Sequence, residues 1–396
     1  MRLTSSDDVR CTQNAGIGDS KGTPGSVATD MRHGDHSEDR VAELRAIELA
    51  EIGEPDERPT PPRNDWWRIA LRIAVSLAFL GILFWRLPEV SLDEMFPSPT
   101  AATWWWIAAA IGVHVVAYVL QNLRWATVSD TLEIPLPFRR LFGHLLAGEF
   151  VSNALPTSFG GDVVRVMRQG ADVGDYAESF AATSLERLTG WLVLPLLSAV
   201  GLLAVSEFRS LGAATTVAVL TDVLTLVALI ALLWVAGHPR GAGRLVGRSG
   251  WRRYLGAVHL GIVAFHGRTA QAARVLVAGL GFQFLQCVSV WCAARALRIP
   301  EVTLLAAMAF FPPTAVVQNF PLALGGLGVR EAAFVLFFGA LGVSHSQAIG
   351  LGLLVYLVFV LASLAGAPSF ARGGLGGLGR NGPGGSDRNE ADATGT

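Results

Sequence analysis

Two arginines stand in the same local frame. Arg165 follows Pro156-x3-Gly160-Gly161-x3, and Arg330 follows Pro321-x3-Gly325-Gly326-x3. Proline ends a helix and frees a carbonyl, and paired glycines allow close backbone approach and positive φ. A helix that restarts after such a break presents unbonded N–H groups at the positive end of its dipole. An arginine near its first turn adds charged donors, so the chemistry this pattern suits is capture of an anion such as phosphate. Asn153 and Asp162 flank the first break, and Gln318, Asn319 and Glu331 flank the second. Glu149 leads into the first break, and the pair Glu186-Arg187 could meet Asp162 or Arg165. The residues expected to bind substrate are therefore Arg165, Arg330, Asp162, Asn153, Gly160, Gly161, Gly325, Gly326, Glu331, Glu186 and Arg187. A packing role competes with this reading: the breaks would close two hairpins, the arginines would snorkel to head groups, and the carboxylates would form structural ion pairs. Asp222, within an apolar run, is a weaker candidate, and His114 reads as a packing histidine.

The two frames belong to a longer repeat. Leu132, Ile134, Pro135, Pro156, Gly160, Gly161, Val164 and Arg165 recur as Leu297, Ile299, Pro300, Pro321, Gly325, Gly326, Val329 and Arg330, without a gap at an offset of 165 residues. Gln121 and Gln286 keep the same offset. With three spans in the repeating unit, the copies should be inverted across a membrane, the arrangement of alternating-access transporters with interrupted helices.

The elements that must position these residues are apolar runs. Spans are expected at about Ile69–Leu87, Trp104–Gln121, Ser179–Val205, Ala214–Ala236, Ala270–Ala296 and Gln347–Ala367, each near the ~20 residues that cross a bilayer. Tryptophans 66, 67, 85 and 104–106 sit at the ends of the first two, as interfacial anchors do. The stretches 138–175 and 302–342 are apolar but interrupted, and read as re-entrant hairpins; halves 302–318 and 327–342 could instead be two short spans. Arginine placement puts both termini and the loop 238–268 in the cytoplasm and the acidic loop 88–103 outside. The expected fold is an all-α polytopic membrane protein with six spans and two re-entrant hairpins related as an inverted repeat. Its organisation is a disordered acidic tail over 1–65, a membrane domain over 66–368 with repeat units near 104–237 and 270–368, and a flexible Gly-rich tail over 369–396.

Composition narrows the function. The 396 residues are 51% hydrophobic and 16% charged, with a net charge of −1, which speaks against nucleic acid as a partner. Residues 1–65 carry 14 of the 32 acidic residues and no apolar leader segment. Three cysteines make neither a disulfide framework nor a zinc cluster. No G-x4-G-K-[ST] phosphate loop occurs, and no cofactor or metal is called for.

Several motifs together are similar to a known family. Asn-Leu-Arg-Trp at 122–125, Gly148-x-Phe150-x2-Asn153-x2-Pro156-x3-Gly-Gly-Asp162-x2-Arg165, Glu186-Arg187-x2-Gly190 and Pro321-x3-Gly-Gly-x-Gly328-x-Arg330-Glu331 resemble the lysylphosphatidylglycerol synthase transmembrane-domain family. The resemblance covers about 68–368 and implies a flippase-like protein of a bacterial inner membrane. Its partner would be an anionic membrane lipid, either a phospholipid or a polyprenyl-phosphate-linked sugar. Family members that transfer amino acids carry an additional soluble synthase domain, so aminoacyl transfer is not expected of this chain, and the reading is of a non-enzyme. Two alternatives stay open: a non-catalytic partner of lipid or envelope biosynthesis enzymes, or an intramembrane lipid-modifying enzyme.

Overall fold

The computed structural model describes residues 91–134, 136–154, 160–237, 251–319, 326 and 328–373. The acidic tail, the first expected span, Pro156, Pro321, Gly325, the loop arginines up to Arg248 and the Gly-rich tail from 374 lie outside the described residues.

Every element among the described residues is helical: α1 (Leu92–Met95), α2 (Ala101–Thr131), α3 (Phe138–Ala154), α4 (Gly160–Val173), α5 (Tyr176–Ala204), α6 (Ala213–Gly237), α7 (Trp251–Ala264), α8 (Thr269–Ala296), α9 (Leu304–Gln318), α10 (Val329–Gly339), α11 (His345–Ser363) and α12 (Ala367–Gly373). Among the described residues, five helical segments are long and apolar enough to cross a membrane: 101–131, 176–204, 213–235, 269–296 and 345–372. They coincide with the last five spans expected from the sequence. The two interrupted stretches fold as helix pairs, α3 against α4 and α9 against α10.

The 165-residue offset persists in the backbone. Leu132 ends α2 at φ −86°, ψ 4°, and Leu297 ends α8 at φ −87°, ψ 3°. The next residues, Glu133 (φ 61°) and Arg298 (φ 58°), are the described non-glycine residues at positive φ. Each turn then closes with the same long bond, Ile134 N–H to Ser129 O at 2.9 Å and Ile299 N–H to Ala294 O at 3.0 Å. A left-handed non-glycine residue carries strain, so its recurrence at matched positions marks a shared turn.

Packing follows from small residues and satisfied carbonyls. Helices α2 and α8 form the most extensive contact, with the Trp106 and Trp291 rings edge-on at 5.5 Å and the Ser289 hydroxyl donating to Ala110 O at 2.9 Å. Helix α9 contains Pro312 and Pro313. Pro313 has no N–H for the carbonyl of Ala309, four residues earlier, and in an apolar interior that oxygen needs another donor. The Ser198 hydroxyl of α5 supplies it at 2.8 Å, and a Cβ on nearby Gly201 would stand 2.7 Å from the Ala309 Cα. Proline inside α9 thereby fixes where α5 crosses it.

Two segments differ from expectation. Residues 251–264, read as part of a basic loop, form α7 against α5. Ala257, Val258 and Ile262 give this helix an apolar face, which the arginines of 238–268 obscure in a composition count. Arg253 ties α7 to Asp175 at 2.7 Å. At the other end, helix runs to Gly373, five residues into the segment read as tail. Helix α12 is strapped to the first hairpin by Ser369 Oγ donating to Gly143 O at 2.6 Å and Arg168 Nη2 donating to Ser369 O at 3.1 Å.

Candidate functional site

Arg165 lies on α4, whose start is held by a glycine contact. A Cβ on Gly161 would strike the Gly148 carbonyl and the Ser152 hydroxyl of α3, and a Cβ on Gly148 would stand 2.9 Å from Arg165 Cγ. The two glycines let α3 and α4 touch backbone to backbone. That contact sets the depth at which Arg165 leaves the hairpin.

The Arg165 side chain is buried and enters a charged network shared by three helices. Glu186 of α5 accepts from Arg165 Nη1 at 3.0 Å and, with its other oxygen, from Arg124 Nε of α2 at 2.8 Å; Arg124 Nη2 closes a very short second bond to it. Asp162 holds Arg187 at 2.7 Å and lies 3.6 Å from Arg165. The Arg165 guanidinium stacks on Trp125, 4.2 Å from its ring centre, and Arg124 lies 5.4 Å from that of Phe282. Charges this deep need paired, hydrogen-bonded partners. Gly190 makes room for one of them, since a Cβ there would sit 2.7 Å from Arg124 Nη1.

The second repeat meets this network from the other side. Arg330, on the first turn of α10, is buried, lies 5.2 Å from the Tyr356 ring centre and faces Glu331 at 3.3 Å. A cavity of about 220 Å³ opens between the two repeats. Arg165, Arg187, Glu186, Asn153 and Glu149 line it from the first repeat, together with Arg124 and Gln121. Arg330, Gln318, Asn319, Gln283, Gln286 and Tyr356 line it from the second. Gln121 and Gln286, matched by the repeat, therefore face one space.

Of the residues expected to bind substrate, the structure brings Arg165, Arg330, Asn153, Glu186 and Arg187 to the cavity wall. Asp162 stands behind the wall as the partner of Arg187. Gly160, Gly161 and Gly326 are not on the wall, and Gly325 lies outside the described residues. Glu331 turns away from the cavity; its carboxylate accepts the Gly328 N–H at 2.5 Å and caps α10. This helix starts at Val329 rather than directly after Gly326, because Gly326 (φ 78°) and Gly328 (φ 83°) hold non-helical backbone. The chain's own carboxylate thus occupies the helix start proposed from the sequence as an anion site.

Several wall residues keep hydrogen-bonding capacity in reserve. Among the described residues, Arg124 Nη1, Arg165 Nε, Arg165 Nη2 and the Tyr118 hydroxyl are buried without a partner, and so are the Gln121 and Gln318 side-chain oxygens. Unsatisfied buried donors cost about 1–3 kcal/mol each, more when charged, so an arrangement that keeps them is suited to a ligand. Cationic donors predominate, and an anion satisfies them best. His114 also lines the cavity, stacked on Phe359 at 4.3 Å and edge-on to Tyr118 at 5.1 Å. Asp222 lies on α6, away from this wall.

Arg124, Tyr118, Gln283 and Tyr356 are among the wall residues that spacing alone did not single out. Arg124 had one signal, its place in Asn-Leu-Arg-Trp; Gln283 had none.

The family model for the lysylphosphatidylglycerol synthase TM region matches residues 69–366, and the chain belongs to that family. No curated protein matches the chain.

Proposed function

We propose, from that membership and this cavity, that the chain moves an anionic lipid between leaflets, its head group passing through the space between the two repeats. The observation that carries the reading is the set of buried, unpartnered guanidinium donors on Arg124 and Arg165 at a cavity wall. A phosphate accepts several N–H bonds from such groups, bidentate where geometry allows. The free oxygens of Gln121 and Gln318 would accept from hydroxyl groups on the same head group, which suits a glycerol or sugar phosphate.

Transport needs the cavity to be reached from each side in turn. The two helix pairs α3–α4 and α9–α10 carry matched turns at their entries, at 133 and 298. In this reading they are re-entrant hairpins that enter from opposite faces, and both termini are cytoplasmic in a bacterial inner membrane. The chain acts as a transporter rather than an enzyme, with the lipid as its partner and without ATP hydrolysis of its own. The alternative that it only scaffolds lipid enzymes gives no reason for unpaired arginine donors at a buried wall.

The test is leaflet movement of labelled lipid in vesicles that contain the purified protein. Phosphatidylglycerol and a short polyprenyl-phosphate sugar would be compared with phosphatidylcholine. Movement of an anionic lipid, lost in Arg165→Ala and Arg330→Ala with folding intact, supports the proposal. Movement that survives both substitutions removes the cavity from the path.

A further inference from the structure

The carboxylates around the cavity are not alike. Glu186, Asp162 and Glu331 each lie within 4 Å of a guanidinium. Glu149 lines the same cavity and forms no ion pair among the described residues. Its bond is a neutral one, from Gln121 Nε2 at 3.1 Å.

Charge arithmetic gives this difference a consequence. Four guanidiniums, those of Arg124, Arg165, Arg187 and Arg330, line the wall, and three paired carboxylates stand against them. With Glu149 ionised the group is neutral; with Glu149 protonated it holds one surplus positive charge. Uncompensated charge at membrane depth is expensive. A monoanionic head group is therefore matched when Glu149 carries a proton and left in excess when it does not.

The neighbour of Glu149 can serve both forms. Gln121 donates through Nε2 in the structure, and its Oε1 has no partner. Rotating that amide by half a turn puts an acceptor where the donor was. Gln121 then accepts from a carboxylic acid as readily as it donates to a carboxylate.

Other titratable groups surround the site. Helix α2 contributes His114 and Tyr118, and α4 contributes Asp162 and Arg165. Helix α5 contributes Glu186 and Arg187. Helix α11 brings Tyr356 to the cavity, and α12 carries Arg372 at an exposed position. Glu186, Asp162 and Glu331 are each paired with a guanidinium. His114 is enclosed by Phe359 and Tyr118.

We infer that Glu149 takes up one proton when an anionic head group enters the cavity, so that lipid and proton bind together. The inference rests on the lipid reading above and adds the ion that travels with the lipid. Because binding linkage is reciprocal, a proton gradient would then drive the lipid.

The experiment uses the full chain in phosphatidylcholine vesicles with labelled phosphatidylglycerol as the probe. Leaflet movement is followed at pH 6 and pH 8, for the wild type and Glu149→Gln. The wild type should move lipid faster at pH 6, with a slope approaching about tenfold per pH unit, the limit for one proton. Glu149→Gln should show the same rate at both values, whatever that rate is, and no response to an imposed pH gradient. A wild type indifferent to pH, or a variant that keeps the wild-type ratio, overturns the proton and leaves the lipid reading standing. No lipid movement by the folded wild type at either pH overturns both. A second measurement needs no variant: adding phosphatidylglycerol to the wild type in weakly buffered detergent should remove about one proton from solution per lipid bound. Binding with no uptake overturns the inference.

Discussion

Glu186 is the hinge of the charged network, and its removal has a calculable effect. Its side chain is 2% exposed and holds Arg124 with one oxygen and Arg165 with the other. Breaking a buried pair by removing one partner costs about 3–5 kcal/mol, because the other charge stays buried. Glu186→Gln keeps the shape and one acceptor, so the low end, about 3 kcal/mol, applies. For folded bodies of a few hundred residues this lowers the unfolding midpoint by about 6–12 °C. The partners are not equivalent. After Arg124→Gln, Glu186 still holds Arg165 at 3.0 Å, whereas Glu186→Gln leaves Arg124 without a carboxylate. Arg124→Gln should therefore cost less, and the double variant should recover at least half the loss through its coupling energy. The assay is thermal unfolding read by a thiol-reactive dye in a Cys11→Ser background, since Cys287 and Cys292 are 0% and 3% exposed and react only on opening. An unchanged midpoint for Glu186→Gln, or a larger loss for Arg124→Gln, would refute the network as described.

Further outcomes are expected from the same geometry. Gly148→Ala places a Cβ 2.8 Å from Gly161 O and should destabilise by about 1–3 kcal/mol, while Gly112→Ala, with nothing within 4 Å, should leave the dye-reported midpoint in place. Gly190→Ala pushes against Arg124 Nη1 and should reduce anionic-lipid movement more than it lowers that midpoint. Asp172 lies at the open end of the α3–α4 pair, outside the spanning helices. Burial raises its carboxyl pKa, but hydrogen bonds from Arg140 at 2.6 Å and His144 at 2.7 Å outweigh it and hold the value below the usual carboxylate range. A depressed folded-state value stabilises above the unfolded one, about 3.9, and the benefit fades as pH falls through the folded value. Asp172→Asn should then lower the midpoint at pH 7, by an amount that shrinks as the pH is taken down through the folded-state value.

Much of this organisation is legible in the sequence because the physics is local. Apolar length marks the five described spans, and the Pro-Gly-Gly frames mark the interruptions. The 165-residue offset anticipates matched turns, which the structure places at Glu133 and Arg298. Inward direction is less legible. Arg124 points to the cavity because Gly190 on α5 and Gly279 on α8 leave it space, and no pattern along α2 alone contains those two positions. Glu331 is the converse case. Its spacing after the second break looks like a ligand, but two glycines at positive φ delay α10 and turn that carboxylate into its cap. Helix α7 was hidden by the arginines around it, although its apolar face is what packs on α5.

The central claim is that a phosphate-bearing head group sits between the repeats against Arg124 and Arg165. It is tested most directly by an experimental structure of the chain in lipid discs containing phosphatidylglycerol. The account predicts phosphate density within about 2.7–2.9 Å of Arg124 Nη1 and of Arg165 Nη2 or Nε, absent from discs of phosphatidylcholine alone. Phosphatidylglycerol resolved only at the outer surfaces, with those donors turned onto protein or water, would contradict it.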